Sequence, residues 1–310
     1  MNVAKDRIII MVILLLLMDI IPSAYAWSNG GWSTDINNPA NGTHDQILEK
    51  AINMLPYDMK SKINIVAAKY GSEIPDCNAG VYCIGDTVRH HVYYRSDGSL
   101  QDDIGAKRAQ EEYELAKSSF QNGDNYNFSL HVGAMSRYMS DLAVFGHTMG
   151  AVSDWGVEKN HSNYESYVNN HPELVDSVVF DNKLDSISAY DAALAIAKDT
   201  TFDNGVYTNV WMEKNYNIYN PNYLQRSKDS ISYATNSITD VIYTMLQTVT
   251  IQNPDIKTYY RSLGQYPDIV ETNDLLKAAD DWRNDITPPG FPASIATNQL
   301  LSLSDEWRNS

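Results

Sequence analysis

The stretch that decides the reading is Arg137–Glu165, RYMSDLAVFGHTMGAVSDWGVEKNHSNYE. Asp141 and His147 lie six apart near the end of one apolar, helix-like run. His161 and Glu165 are four apart, which puts both side chains on one face of a following helix. Carboxylates and imidazoles at helical spacing on facing helices are how helical bundles assemble metal sites in their cores. A lone histidine on a helix is more often a hydrogen-bonded core or surface group, so the set of four carries the weight.

Around this stretch the chain reads as helical. Thr43 with Gln46 has the form of a capping box, and Ile47, Leu48, Ala51, Ile52 and Leu55 follow at helical spacing. Further helices are expected over about Gly105–Phe120, Tyr126–Gly146 and Ile231–Val249, and His91–Tyr94 is the best short strand. The expected fold class is all-α: a multi-helix domain with long loops over residues 27–250, a linker over 251–271 and a helical hairpin tail over 272–310. The tail rests on an internal repeat. Thr272-Asn273-Asp274-Leu275-Leu276 and Asp280-Asp281-Trp282-Arg283-Asn284 recur as Thr297-Asn298-Gln299-Leu300-Leu301 and Asp305-Glu306-Trp307-Arg308-Asn309. Two helices packed as a hairpin explain the repeat most simply; a docking module for a cell-surface partner is the sharper alternative, and two copies are too few for a solenoid.

Lys5 and Arg7 precede the apolar run Ile8–Met18, and Ala24-Tyr25-Ala26 has the small residues of a processing site. Residues 1–26 therefore read as a secretory signal peptide, too short in its apolar part to span a bilayer. Cleavage would leave a mature chain starting at Trp27, and a secreted, extracellular protein. The formal net charge of −16, with 43% hydrophobic and 11% aromatic residues, excludes a disordered chain and a basic nucleic-acid-gripping face. A stable nucleic-acid complex is not expected. The two cysteines, Cys77 and Cys83, are expected to form one local disulfide beside Asp76.

With these residues in place, the chain from Trp27 to about Thr250 resembles the zinc-dependent phospholipase C family, which shares its helical fold and three-zinc site with the S1/P1 nucleases. The resemblance implies that Trp27 at the processed N-terminus and His44 bind one zinc, that Asp141 bridges two, and that His147, His161 and Glu165 hold a third. In that family an Asp precedes a His at a characteristic short spacing; Asp76 and His91 are taken as this pair, with Asp76 also the candidate general base, while His90 and His131 are taken as structural. The implied function is hydrolysis of a phospholipid head group or other phosphodiester by metal-activated water, with zinc as cofactor, up to three ions or fewer. The family's acidic head-group residue falls near Gly30 here, so that contact is lost. Tyr82, Tyr93 and Tyr94 could line a pocket by His91.

One position departs from the pattern: Arg137 stands where the resemblance implies a His ligand, four positions before Asp141. Arginine is permanently protonated and has no lone pair to offer a metal. A guanidinium about 5 Å from a divalent ion would cost roughly 6–7 kcal/mol at an effective dielectric near 20. Structural zinc binding is worth about 10–16 kcal/mol, so the Asp76/His91 subsite would be weakened severely. Arg137 could instead pair with Asp141 or Asp76 and supply its own charge. Three functions thus stand side by side: the phosphodiesterase, a catalytically weakened or inactive metal-binding surface protein using scaffold and tail, and an S1/P1-like nuclease.

Overall fold

The computed structural model describes residues 33, 35–77, 82–248, 256–264, 269–288, 291 and 294–309. The signal-peptide reading, Trp27 and Gly30 lie outside them. The described chain is all-α, with helices α1 (Thr43–Met54), α2 (Tyr57–Lys60), α3 (Ile65–Glu73), α4 (Ile104–Gln121), α5 (Asn125–Asp141), α6 (His161–Asn169), α7 (Glu173–Asp176), α8 (Ala189–Phe202), α9 (Asn209–Lys214) and α10 (Pro221–Thr248) in the body, then α11 (Ile256–Arg261), α12 (Thr272–Arg283) and α13 (Thr297–Asn309). Among the described residues the only sheet is a two-stranded antiparallel ribbon, β1 (Tyr93–Tyr94) against β2 (Leu100–Asp102). No described helix is long and apolar enough to cross a membrane.

Helix α5 is the axis of the body. Every residue from Phe128 to Asp141 except His131 is buried, so it is enclosed on all sides, by α3 and α4 above all. Apolar side chains of α1, α4, α8 and α10 join it in one core that includes Leu48, Ala109, Phe128, Met135, Ile196, Ile238 and Val241. The approach of α3 to α5 depends on two glycines. A Cβ on Gly133 would sit 1.9 Å from the Ala68 carbonyl oxygen, and one on Gly71 would sit 2.0 Å from that of Leu130.

The helices expected at Gly105 and Ile231 are present, the second starting earlier, at Pro221. Two expectations are corrected. Thr43 is the first helical residue rather than the cap: Gly42 is the cap, and Asp45 Oδ2 accepts its N–H at 2.8 Å. The helix expected to reach Gly146 ends at Asp141, and the chain turns into a short 3-10 helix, Phe145–Thr148. Gly146 is where that turn must be slim, because a Cβ there would lie 2.4 Å from the His161 ring.

The stretch read as a linker contains α11. Its Ile256, Tyr259 and Tyr260 pack with Val270, Ala278, Ile295 and Leu303 in a second small core, so α11 packs with the repeat helices. Within each repeat the first leucine (Leu275, Leu300) packs on that core. The second faces outward: Leu276 is 62% and Leu301 59% exposed. Trp307 Nε1 donates to Thr272 Oγ1 at 3.2 Å and ties one repeat to the start of the other.

Because backbone atoms on α3 cannot yield as a flexible side chain would, Gly133→Ala is expected to destabilise the fold by about 3 kcal/mol. The urea midpoint by circular dichroism checks this; a midpoint equal to wild type would mean that α3 and α5 are further apart than described.

Candidate metal centre

Asp141, the last residue of α5, is fully buried, and four other side chains converge on it. On Oδ2 sit Arg137 Nε at 3.1 Å and His90 Nδ1 at 2.6 Å. On Oδ1 sit His44 Nε2 at 3.3 Å and His147 Nε2 at 3.6 Å. Burial alone would raise the Asp141 pKa; Arg137, then His147, His44 and His90, reverse that and hold it well below the usual carboxylate range. His44 is buried on α1, and burial followed by the Arg137 charge keeps its pKa well below normal, so it is neutral. The Ser140 hydroxyl donates to the Ser136 carbonyl oxygen at 2.8 Å, so at 2.6 Å it accepts from His44 Nδ1–H. That tautomer turns the Nε2 lone pair toward Asp141 Oδ1, as a metal ligand would.

A second group adjoins the first. His147 in the 3-10 turn, with His161 and Glu165 on the first turns of α6, present ligand atoms that all lie within 4.8 Å of one another. His161 Nε2 is 2.8 Å and His147 Nε2 3.6 Å from Glu165 Oε1. His147 Nε2 and Asp141 Oδ1 are buried with no hydrogen-bond partner among the described residues, although they lie 3.6 Å apart. Unpartnered buried polar atoms cost free energy unless something satisfies them, and a divalent cation between these acceptors would do so. Two imidazoles, one carboxylate and a neighbouring carboxylate oxygen form a donor set that fits zinc.

Burial alone would raise the Glu165 pKa, but His147 and His161 pull it down to about 2. Burial would lower that of His161, yet Glu158 and Glu165 push it up to about 10. Without an ion, the proton on His161 therefore does the work of the metal charge.

Asp76 closes the 3-10 turn after α3, next to the Cys77–Cys83 disulfide, whose Cα atoms are 5.6 Å apart. Its Oδ2 accepts from Arg137 Nη2, and its Oδ1 lies 3.5 Å from His90 Nε2. His91 lies at the same cleft but does not reach Asp141 as the other histidines do. Its ring stacks on Tyr93, and its Nε2 faces Asp102 Oδ2 at 3.3 Å. His90, expected to be structural, is buried in the interior and bonds Asp141 and the Asp86 carbonyl oxygen. The two alternate along an extended segment, so one step of register decides which points inward. Val92 decides it: it is fully buried and its N–H donates to the His147 carbonyl at 3.2 Å. The signal was available, since His90 stands one position nearer Asp76 and also fits the spacing that the resemblance allows. Glu158, close to His161 Nδ1 at 3.5 Å, was also missed. His131 bonds Glu112 at 2.8 Å in a separate polar network.

Asp76, His90, His91, Arg137, His147 and His161 border one cleft of about 540 Å³, which also includes Tyr93 and Glu158. Tyr94 turns its hydroxyl to the Leu194 carbonyl, and Tyr82 packs near Tyr126.

No family model and no curated protein matches the sequence. Solved structures are similar to it, two alpha toxins among them. One is alpha toxin from Clostridium absonum: 16% identity, TM-score 0.46, covering 70% of this chain and 65% of that one. The other is Clostridium perfringens alpha-toxin from an avian strain: 15% identity, TM-score 0.47, covering 67% and 64%. The chain thus spans slightly less than two thirds of either structure's length. A likeness this distant carries no chemistry, which rests on the side chains themselves.

Gly146→Ala would push the His161 ring off its position and is expected to weaken zinc binding roughly 10–100-fold with little change in circular dichroism; calorimetric titration gives the affinity. In chelator-treated protein, the Glu165 contribution to stability is complete above pH 4.5 and lost as pH falls toward 2. That of His161 is complete below pH 6.5 and lost as pH rises toward 10. The difference in urea midpoint between wild type and Glu165→Gln should therefore be largest between pH 4.5 and 6.5 and shrink on both flanks.

Proposed function

We propose that this chain is an exported, zinc-dependent phosphodiesterase of phospholipase C type. The observation that supports it most is the His147/His161/Glu165 group, with the unpartnered Asp141 Oδ1 beside it, at the wall of an open cleft. His147, His161 and Glu165 would hold the ion, and His44 with Asp141 would contribute to a second site completed by the processed N-terminus at Trp27. Zinc so held supplies Lewis acidity and lowers the pKa of a coordinated water to about 7.

The protein's own groups do the rest. Arg137 borders the cleft with a permanent positive charge, which suits an anionic phosphate diester. Asp76 borders the same cleft and is the carboxylate proposed to take the proton from the attacking water. His90 and Arg137 keep Asp141 ionised and oriented, so its Oδ1 stays directed at His147. The disulfide suits an oxidising compartment and anchors Cys77, the neighbour of Asp76.

A second reading, a metal-binding surface protein without turnover, draws on Arg137, and in that reading the repeat tail would engage a cell-surface partner. The outward residues of the tail recur in register, Leu276 with Leu301 and Trp282 with Trp307, the two indoles being 43% and 40% exposed.

Hydrolysis of a chromogenic phosphodiester, phosphatidylcholine vesicles and single-stranded DNA by secreted protein separates these readings. Turnover should vanish with chelator, return with zinc, and drop roughly a hundredfold or more in His161→Ala and Glu165→Gln. Zinc bound without turnover on any substrate would favour the surface-protein reading, and activity on DNA alone the nuclease-like one.

A further inference from the structure

We infer that the Arg137 guanidinium takes the place of a metal ion between Asp76 and Asp141, so that the loaded centre holds at most two ions rather than three. This deepens the functional reading above and rests on it.

The two oxygens of Asp141 face different chemistry. Oδ1 meets His44 and His147, whose ring nitrogens can act as lone-pair donors to an ion. Oδ2 meets only N–H donors among the described residues: Arg137 Nε at 3.1 Å and His90 Nδ1 at 2.6 Å. An ion shared by Asp76 and Asp141 on this side would need Oδ2, and that oxygen is already saturated. His90 cannot turn round to serve as a ligand, because its Nε2 hydrogen bonds to the Asp86 carbonyl oxygen. His91 borders the cleft but turns its Nε2 to Asp102. Asp76 Oδ2 is taken by Arg137 Nη2.

Arg137 is also held in place. It lies four positions before Asp141 on the same helix, is 2% exposed, and bonds two carboxylates from different parts of the chain. Swinging outward would strip the fully buried Asp141 and the partly exposed Asp76 of that counter-charge. A planar, always-protonated fork of donors can span two carboxylates as a divalent ion spans them, but with one charge instead of two and no open coordination position. The donor set at this position therefore does not fit zinc, whereas that of His147, His161 and Glu165 does. Asp76 is, on this account, a partner of arginine and not a metal ligand.

Zinc counting tests this without reference to activity. Secreted protein is stripped with chelator, saturated with zinc, desalted and analysed for metal per chain by mass spectrometry. Wild type should hold no more than two equivalents. Arg137→Lys and Asp76→Asn should match wild type, since an ammonium cannot ligate and Asp76 holds no ion. Arg137→His should gain one equivalent. Three equivalents in wild type, loss of one in Asp76→Asn, or no gain in a folded Arg137→His protein would each overturn the inference. If Arg137→His fails to fold, the Asp76→Asn count decides. Wild type that takes up no zinc at all would overturn the functional reading, and this inference with it.

Discussion

A single buried carboxylate sets the terms for the rest of the molecule. Asp141 sits at the C-terminal end of α5, where the helix macrodipole already opposes a negative charge, and it has no access to water. Leaving such a group unpaired would cost several kcal/mol. The chain answers by converging on it from four directions: His44 from α1, His90 from the segment before β1, Arg137 from one turn earlier on α5, and His147 from the following 3-10 turn. The scaffold exists to hold those directions. Close contact of α3 with α5, made possible by Gly71 and Gly133, brings Asp76 to the end of α3 at the right distance from Arg137.

The convergence produces an asymmetric centre. One side is closed by organic cations, the other is lined with lone pairs and opens on the cleft. Gly146 belongs to the second side for a steric reason, since the His161 ring occupies the space that any side chain at that position would take. Glu158 and Glu165 bracket the same ring, and their combined charge keeps a proton on it when no ion is present. An ion held there would displace that proton, so that zinc affinity would rise with pH.

The tail follows a different logic. Its core is small, and buried charge helps to hold it: Asp281 is buried, accepts from Tyr260 OH at 2.9 Å and pairs with Lys277. Glu306 lies 3.1 Å from Lys257 and 3.5 Å from Arg261 on α11, which draws the second repeat onto the helix that precedes the first. Duplication preserved the inward leucines, which packing requires, and also the outward ones, which packing does not.

How much was legible in the sequence depends on the range of the interaction involved. Helical periodicity located α4, α5 and α10, because apolar spacing is local, and it identified His161 and Glu165 as neighbours for the same reason: four positions on a helix is a fixed distance. The pairing of Cys77 with Cys83 was likewise local. Asp45 as the capping side chain and the helix within residues 256–261 escape the pattern, since an alternative cap one position away and a short apolar run look alike without their packing partners.

The sequence by itself determined the helical class and the residue types that can bind a metal. Tertiary structure alone decided which of them come together. His90 and His91 are chemically identical neighbours, and the choice between them came from Val92 seeking the core and bonding to the His147 carbonyl, a contact with a distant part of the chain. The part played by Arg137 was decided in the same way: its charge is written in the sequence, but a guanidinium becomes a substitute for an ion only when two carboxylates from separate segments are folded against it.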